Sequence, residues 1–357
     1  MHNTNSLIGF SNFTIKLFGL KVVMAKHLFA ILLIFFTTIP CLAKTLNLDE
    51  QFDYQQDSGI VFTSKPTALR TATIDLQLEL FSPSGNNLPI QKPALILIHG
   101  GGFTGGNRFN NRLIQLCKDM AKRGWVCVSI DYRLMGDQPI LDPIITETQW
   151  WSSLHVMTEQ EFTKATAIAA ATEDSLAAYQ WLIANAEILG FDPTRIAIGG
   201  SSAGAATSLL VGYFLDDLQI LNKGDISAVI DMWGSLQVEK TYIQADDPAL
   251  FITHGSDDTV VPTTKAYELS DHAVSIQLPY QMYIVSNAGH GYDLNTAIDS
   301  SGETIFLRIL DFLYQHVILR EDSNLVAPTL GISSIALLAI SLIYIQVIRR
   351  QPPNKLN

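Results

Sequence analysis

The sequence predicts an α/β fold built on one central, mostly parallel sheet flanked by helices, and three observations carry that expectation. Short apolar runs that do not alternate with polar residues recur along residues 44–325, as strands buried on both faces require. Helix-length patterns fall between them, giving strand–helix alternation. The excess apolarity of the chain is concentrated in two segments outside this stretch, which leaves a globular body between them.

The elements follow in order. Alternation at Ile74, Leu76, Leu78 and Leu80 marks a half-buried strand over Thr73 to Phe81, ended by the turn residues Ser82, Pro83, Ser84 and Gly85. Continuous apolar runs at Ala94 to Ile98, Val126 to Ile130, Ile196 to Ile198, Ala228 to Met232, Leu250 to Thr253 and Gln281 to Val285 supply the buried strands. Helices are expected at Asn111 to Arg123, Glu173 to Leu189, Ala203 to Leu215, Thr264 to His272 and Thr304 to Val317. Between strand and helix, Met135 to Thr172 carries Pro139, Pro143 and the pair Trp150-Trp151; an excursion of this length is a lid candidate, against a plain surface loop.

The full chain has 357 residues, 48% hydrophobic and only 16% charged, against roughly a quarter charged in ordinary soluble domains. Its ends explain the imbalance. Leu28 to Ile39, preceded by Lys26 and followed by Pro40, Cys41, Leu42 and Ala43, reads as the apolar core of a signal peptide over residues 1–43, cleaved after Ala43 and with a start at Met24. Thr329 to Ile348 matches the thickness of a bilayer and stops at Arg349 and Arg350, so we expect a single spanning helix, a short cytoplasmic tail over 349–357 and the body held outside. Without the six basic residues of the two ends, the body holds 17 basic residues against 34 acidic ones, near −17. Such a surface argues against nucleic acid, whose affinity rests on Lys and Arg. Export leaves Cys117 and Cys127; their positions in a helix and an apolar strand favour two buried thiols, with a bridge as the alternative.

The chemistry is concentrated at strand ends. Ile198-Gly199-Gly200-Ser201-Ser202-Ala203-Gly204 runs from a strand through G-x-S-x-G into a helix, the pattern that exposes a nucleophile on a sharp turn, and its register selects Ser202 over Ser201. A serine hydroxyl needs a base, and His290 in Asn287-Ala288-Gly289-His290-Gly291-Tyr292 follows the last strand in a glycine-flanked loop. The orienting acid comes from His254-Gly255-Ser256-Asp257-Asp258; Asp258 is the choice, Asp257 the rival and Asp231 a distant third. His99-Gly100-Gly101-Gly102-Phe103 ends an earlier strand, where glycines let backbone N–H groups converge on an oxyanion. A phosphate-cradling loop is disfavoured, since no G-x-x-x-x-G-K-[ST] is present.

With these motifs in this order, the chain resembles α/β-hydrolase-fold carboxylesterases and lipases, especially bacterial H-G-G-G esterases related to hormone-sensitive lipase. The resemblance runs from about Ala94 to Tyr292 and includes Asp131-Tyr132-Arg133-Leu134, Glu173-Asp174 and Asp192-Pro193-Thr194-Arg195-Ile196. It implies a Ser202–Asp258–His290 triad, the acid four residues after the histidine of His-Gly, and oxyanion donors at Gly101, Gly102 and Ala203. The chain departs from the hormone-sensitive group in having Ser201 before the serine and Gly204-Ala205 after the alanine. The expected function is hydrolysis of short- to medium-chain esters, small molecules, with no metal or organic cofactor. A peptidase or amidase on the same fold and a non-catalytic binding relative are the alternatives.

Overall fold

The computed structural model describes residues 48–68, 73–153, 158–296, 298 and 302–320. Its sheet has eight strands: β1 (Asp53–Pro66), β2 (Thr73–Ser84), β3 (Lys92–Ile98), β4 (Val126–Ile130), β5 (Phe191–Ser201), β6 (Ala228–Met232), β7 (Ala249–Gly255) and β8 (Tyr280–Val285). They lie in the order β1-β2-β4-β3-β5-β6-β7-β8. β1 and β2 run antiparallel to their neighbours, and every pair from β4 to β8 is parallel. Parallel neighbours bring their carboxyl ends to one edge, and loops that leave that edge share a crevice.

The helices that position this edge are α1 (Asn111–Ala121), α2 (Glu159–Ala184), α3 (Ala203–Leu209), α4 (Thr264–Ile276) and α5 (Ile305–Leu313). Alternate residues of β3 divide between two hydrophobic cores, Ala94, Ile96 and Ile98 in one and Leu95 and Leu97 in the other, so the cores lie on opposite faces of the sheet. α2, α3 and α4 cover the first face, α1 and α5 the second. Alternation of helices between the faces buries the central strands on both sides, which is why they read as unbroken apolar runs.

The strands and helices depart from expectation at three places. β1 was not anticipated; it is a long, largely exposed edge strand whose polar residues and two register shifts erase any apolar period. β2 continues through the expected turn at Pro83 to Ser84, pairing Pro83 with Tyr54 of β1 beyond Phe81, the last residue of β2 that pairs with β4. α2 begins at Glu159, fourteen residues before the expected start, behind a Thr158–Glu161 capping box. Its residues from Ala165 onward are largely buried, so the last stretch of the lid candidate, Ala165 to Thr172, is core helix. What precedes it is a run of short helices, with Trp150 edge-on to Phe214 at 5.3 Å and Trp151 against Phe162 at 5.3 Å.

Cys117 on α1 and Cys127 on β4 are joined as a disulfide, against the preference for two thiols. Among the described residues no helix is long and apolar enough to cross a membrane. The expected signal peptide at 1–43 and the apolar stretch 329–348 with its tail lie outside the described residues.

Candidate active site

Ser202 sits at the junction of β5 and α3 with φ of 55° and ψ of −116°, a conformation that side chains rarely adopt and that a strand-to-helix elbow imposes. The close approach at Gly204 shows why the elbow needs small residues: a Cβ there would lie 2.0 Å from the Ile98 carbonyl oxygen. The elbow is tied to the sheet by the Ser202 N–H, which donates to the Met232 carbonyl at 2.9 Å. Ser202 itself is half-buried, whereas Ser201 is buried at the end of β5.

Two loops at the same sheet edge bring the partners. The loop after β7 and the loop after β8 are stitched together: the Asp257 N–H donates to the Ala288 carbonyl at 2.9 Å, and the Asn287 N–H to Ser256 Oγ at 2.8 Å. From these loops His290 Nδ1–H donates to Asp258 Oδ2 at 2.8 Å, and Ser202 Oγ–H donates to His290 Nε2 at 2.9 Å. The three residues, separated by up to 88 positions, thus form one hydrogen-bonded chain. The N–H groups of Val260 and Val261 reach Asp258 Oδ1 at 2.8 and 2.9 Å. Burial opposes ionisation of Asp258, but the His290 bond and these two N–H groups outweigh it and hold its carboxyl below the usual carboxylate range.

The two rival acids are elsewhere. Asp257 is exposed and accepts from Ser256 Oγ. Asp231 is buried at the end of β6, where Oδ1 accepts from the Gly234 N–H at 2.7 Å and Oδ2 has no hydrogen-bond partner among the described residues. Burial raises its carboxyl to about 6, against the Gly234 bond and the electrostatic influence of His254.

The glycine turn after β3 lies against the elbow, since a Cβ on Gly100 would stand 2.7 Å from the Ser201 carbonyl oxygen and 3.1 Å from Ser202 Cβ. Gly101 has φ of +127° and packs so tightly on Gly105 that a Cβ would come within 2.0 Å of its carbonyl oxygen. Phe103, also at positive φ, is buried and accepts the Met135 N–H through its carbonyl at 2.8 Å, pinning the turn to the segment after β4. Tyr132 supports the turn from below, stacking on His99 at 4.3 Å and donating its hydroxyl to the His99 carbonyl at 3.1 Å. Burial lowers the His99 imidazole and raises the Tyr132 phenol, so both are held in uncharged forms near neutral pH. Tyr132 has no role of its own in the sequence reading, where it stands only within Asp131-Tyr132-Arg133-Leu134; its place directly after Asp131 at a strand's carboxyl end is the available signal.

Arg133 organises the base of the excursion after β4. It is fully buried and its guanidinium meets Asp174, Glu173 and the carbonyls of Pro66 and Ile140, while Glu173 accepts the Asp142 N–H at 2.6 Å. No group of acidic, His or Cys side chains among the described residues is arranged to hold a metal ion.

Over residues 78–145 and 155–241 the chain matches the BD-FAE family model. Esterase LipC of Mycobacterium tuberculosis is 25% identical over 244 residues, which cover 57% of this chain and 53% of that protein. The probable carboxylic ester hydrolase LipM of the same organism is 24% identical over 254 residues, covering 58% and 52%. The chain therefore spans about half the length of these curated relatives. Among solved structures, the propionate-bound esterase Est2 of Thermogutta terrifontis matches with a TM-score of 0.52 at 18% identity, over 72% of this chain and 93% of that one, a likeness of fold. A mostly parallel sheet and a G-x-S-x-G elbow between β5 and α3 give the chain the α/β-hydrolase fold, and over the matched residues it is similar to carboxylic ester hydrolases built on that fold.

Proposed function

We propose that the chain is a serine carboxylester hydrolase, and the observation that carries this reading is the unbroken hydrogen-bonded chain Ser202–His290–Asp258 beside a glycine-rich turn. Ser202 Oγ attacks the ester carbonyl as His290 Nε2 takes its proton. The negative charge that develops on the carbonyl oxygen is met by the N–H groups of Gly101, Gly102 and Ala203. His290 then gives its proton to the leaving alkoxide, and an acyl group remains on Ser202. Water, deprotonated by the same imidazole, releases the acid. Asp258 stays ionised throughout, orienting the ring and stabilising the imidazolium.

Short to medium acyl groups fit best, because the link from β6 to β7 is brief and contains only the single turn Lys240–Tyr242. A location outside the membrane, with an anchor at 329–348, is proposed from the sequence alone. Arg320, which precedes that stretch, donates to the Gly224 carbonyl and Ser227 Oγ at the amino end of β6, opposite the edge that carries Ser202. An anchor there would turn the site away from the bilayer, towards soluble esters.

The test is a panel of p-nitrophenyl esters of increasing acyl length together with aminoacyl amides. Rapid hydrolysis of acetate and butyrate esters, abolished by Ser202→Ala, supports the reading. Activity retained by Ser202→Ala, or turnover confined to the amides, would overturn it.

A further inference from the structure

Behind the triad lies a second histidine that the acyl-transfer steps do not use. His254, on β7, is completely buried, and its Nε2 stands 2.9 Å from the Val261 carbonyl oxygen and 3.1 Å from Asp258 Oδ2. Both neighbours can only accept when Asp258 is ionised, so Nε2 is the nitrogen that carries the proton. The other ring nitrogen, Nδ1, is buried with no hydrogen-bond partner among the described residues. Buried polar atoms are rarely left unpaired, so an imidazole that satisfies only one nitrogen is an expensive choice for simple packing. The Nε2 contacts of this ring go to Asp258 and to the loop that carries it, and the buried Asp231 is its other acidic neighbour.

The two oxygens of Asp258 are held unequally. Oδ1 is held by two backbone N–H groups of its own loop, those of Val260 and Val261. Oδ2, the oxygen that His290 uses, accepts from His290 Nδ1–H at 2.8 Å and has His254 Nε2 beside it at 3.1 Å, while the Nε2–H bond itself goes to the Val261 carbonyl. His290 is the mobile partner in catalysis, since it must serve Ser202, the leaving group and water in turn. His254 is fixed within a central strand. We propose that His254 is a positioning residue whose Nε2–H, bonded to the Val261 carbonyl and 3.1 Å from Asp258 Oδ2, fixes the acid and its loop, and thereby the angle at which His290 faces Ser202. The role rests on the triad reading above.

Near-isosteric variants separate positioning from packing. His254→Gln keeps an N–H donor near the Nε2 position; His254→Met keeps the length and loses the donor. With p-nitrophenyl acetate, His254→Met should lower kcat roughly 10- to 100-fold with KM within about twofold, the signature of misplaced chemistry rather than lost binding. His254→Gln should recover kcat to within about threefold of the parent. In an Asp258→Asn background, His254→Met should cost nothing further, because residues that act through one group are not additive. Parental kcat in His254→Met, equal losses in the Met and Gln variants, or losses that multiply in the double variant would each overturn the proposal. Should His254→Met not fold, His254→Asn, whose shorter amide cannot reach Asp258, takes its place with the same expectations. An Asp258→Asn variant with parental kcat would remove the triad reading itself. An inactive Asp258→Asn beside a fully active His254→Met would remove only the role of His254.

Discussion

Two buried acid–base clusters in this molecule are built to opposite ends. At Arg133 all five guanidinium N–H positions have acceptors: Asp174 at Nε, the Pro66 and Ile140 carbonyls at Nη1, and Glu173 and Asp174 at Nη2. Nothing is left to bind a substrate, and the cluster ties the end of β1, the excursion after β4 and α2 into one unit. At the triad hydrogen-bond donation runs one way, from Ser202 Oγ–H through His290 to Asp258, and it starts at a half-buried hydroxyl that a substrate can reach. Both contain buried carboxylates held by nitrogen donors. The difference is that one cluster is closed and the other ends in an open position, and only the open one can do chemistry.

Breaking each cluster should therefore move a different observable. Asp258→Asn should lower kcat by roughly 10⁴, about 5.5 kcal/mol of barrier, by removing the carboxylate that fixes the imidazole tautomer, with thermal stability changed far less. Arg133→Met should do the reverse. Leaving Glu173 and Asp174 buried and unpaired should cost about 3–5 kcal/mol of folding stability in denaturant unfolding. Activity per folded molecule should remain. An Arg133→Met protein that is stable but inactive would erase the contrast between the two sites.

Gly101→Ala sharpens the comparison at the rim of the site. The new Cβ meets a backbone oxygen at a φ suited to glycine, so the turn must shift, and kcat should fall on the order of 10²-fold with KM little changed. The smallest effect concerns a third acidic site. Burial and the neighbouring Asp247 charge push the Asp216 carboxyl up to about 7. A raised carboxyl pKa means that the stability it contributes is present below about pH 4 and is lost as pH rises through about 7. Asp216→Asn should thus stabilise the protein by roughly 1–2 kcal/mol at pH 8 and by almost nothing at pH 4, read from unfolding midpoints across that range.

The features legible in the sequence were those with a local signature. The continuous apolar strands announced their own double burial, and Gly200-Ser201-Ser202-Ala203-Gly204 announced the elbow because tight turns leave few residue choices. His290 and Asp258 were legible from glycine-flanked strand ends. β1 was not, because an exposed edge strand has no buried face to impose a period. The start of α2 was hidden for the opposite reason: Ala165 to Leu182 is buried nearly all round, so no polar stripe marks it. Nor could Arg133, Glu173 and Asp174 be paired by reading along the chain, since their meeting depends on α2 packing against β1 and the segment after β4. His254 was visible only as the start of a His-Gly turn; its contact with Asp258 is a three-dimensional fact.

The central claim is that Ser202, and not another hydroxyl, is the nucleophile activated by His290. Labelling with a fluorophosphonate probe, followed by mass spectrometry of the modified peptide, tests it most directly. The account predicts a single adduct on Ser202, lost in Ser202→Ala and His290→Ala and retained in Ser201→Ala. An adduct on any other residue, or labelling that survives Ser202→Ala, would contradict it.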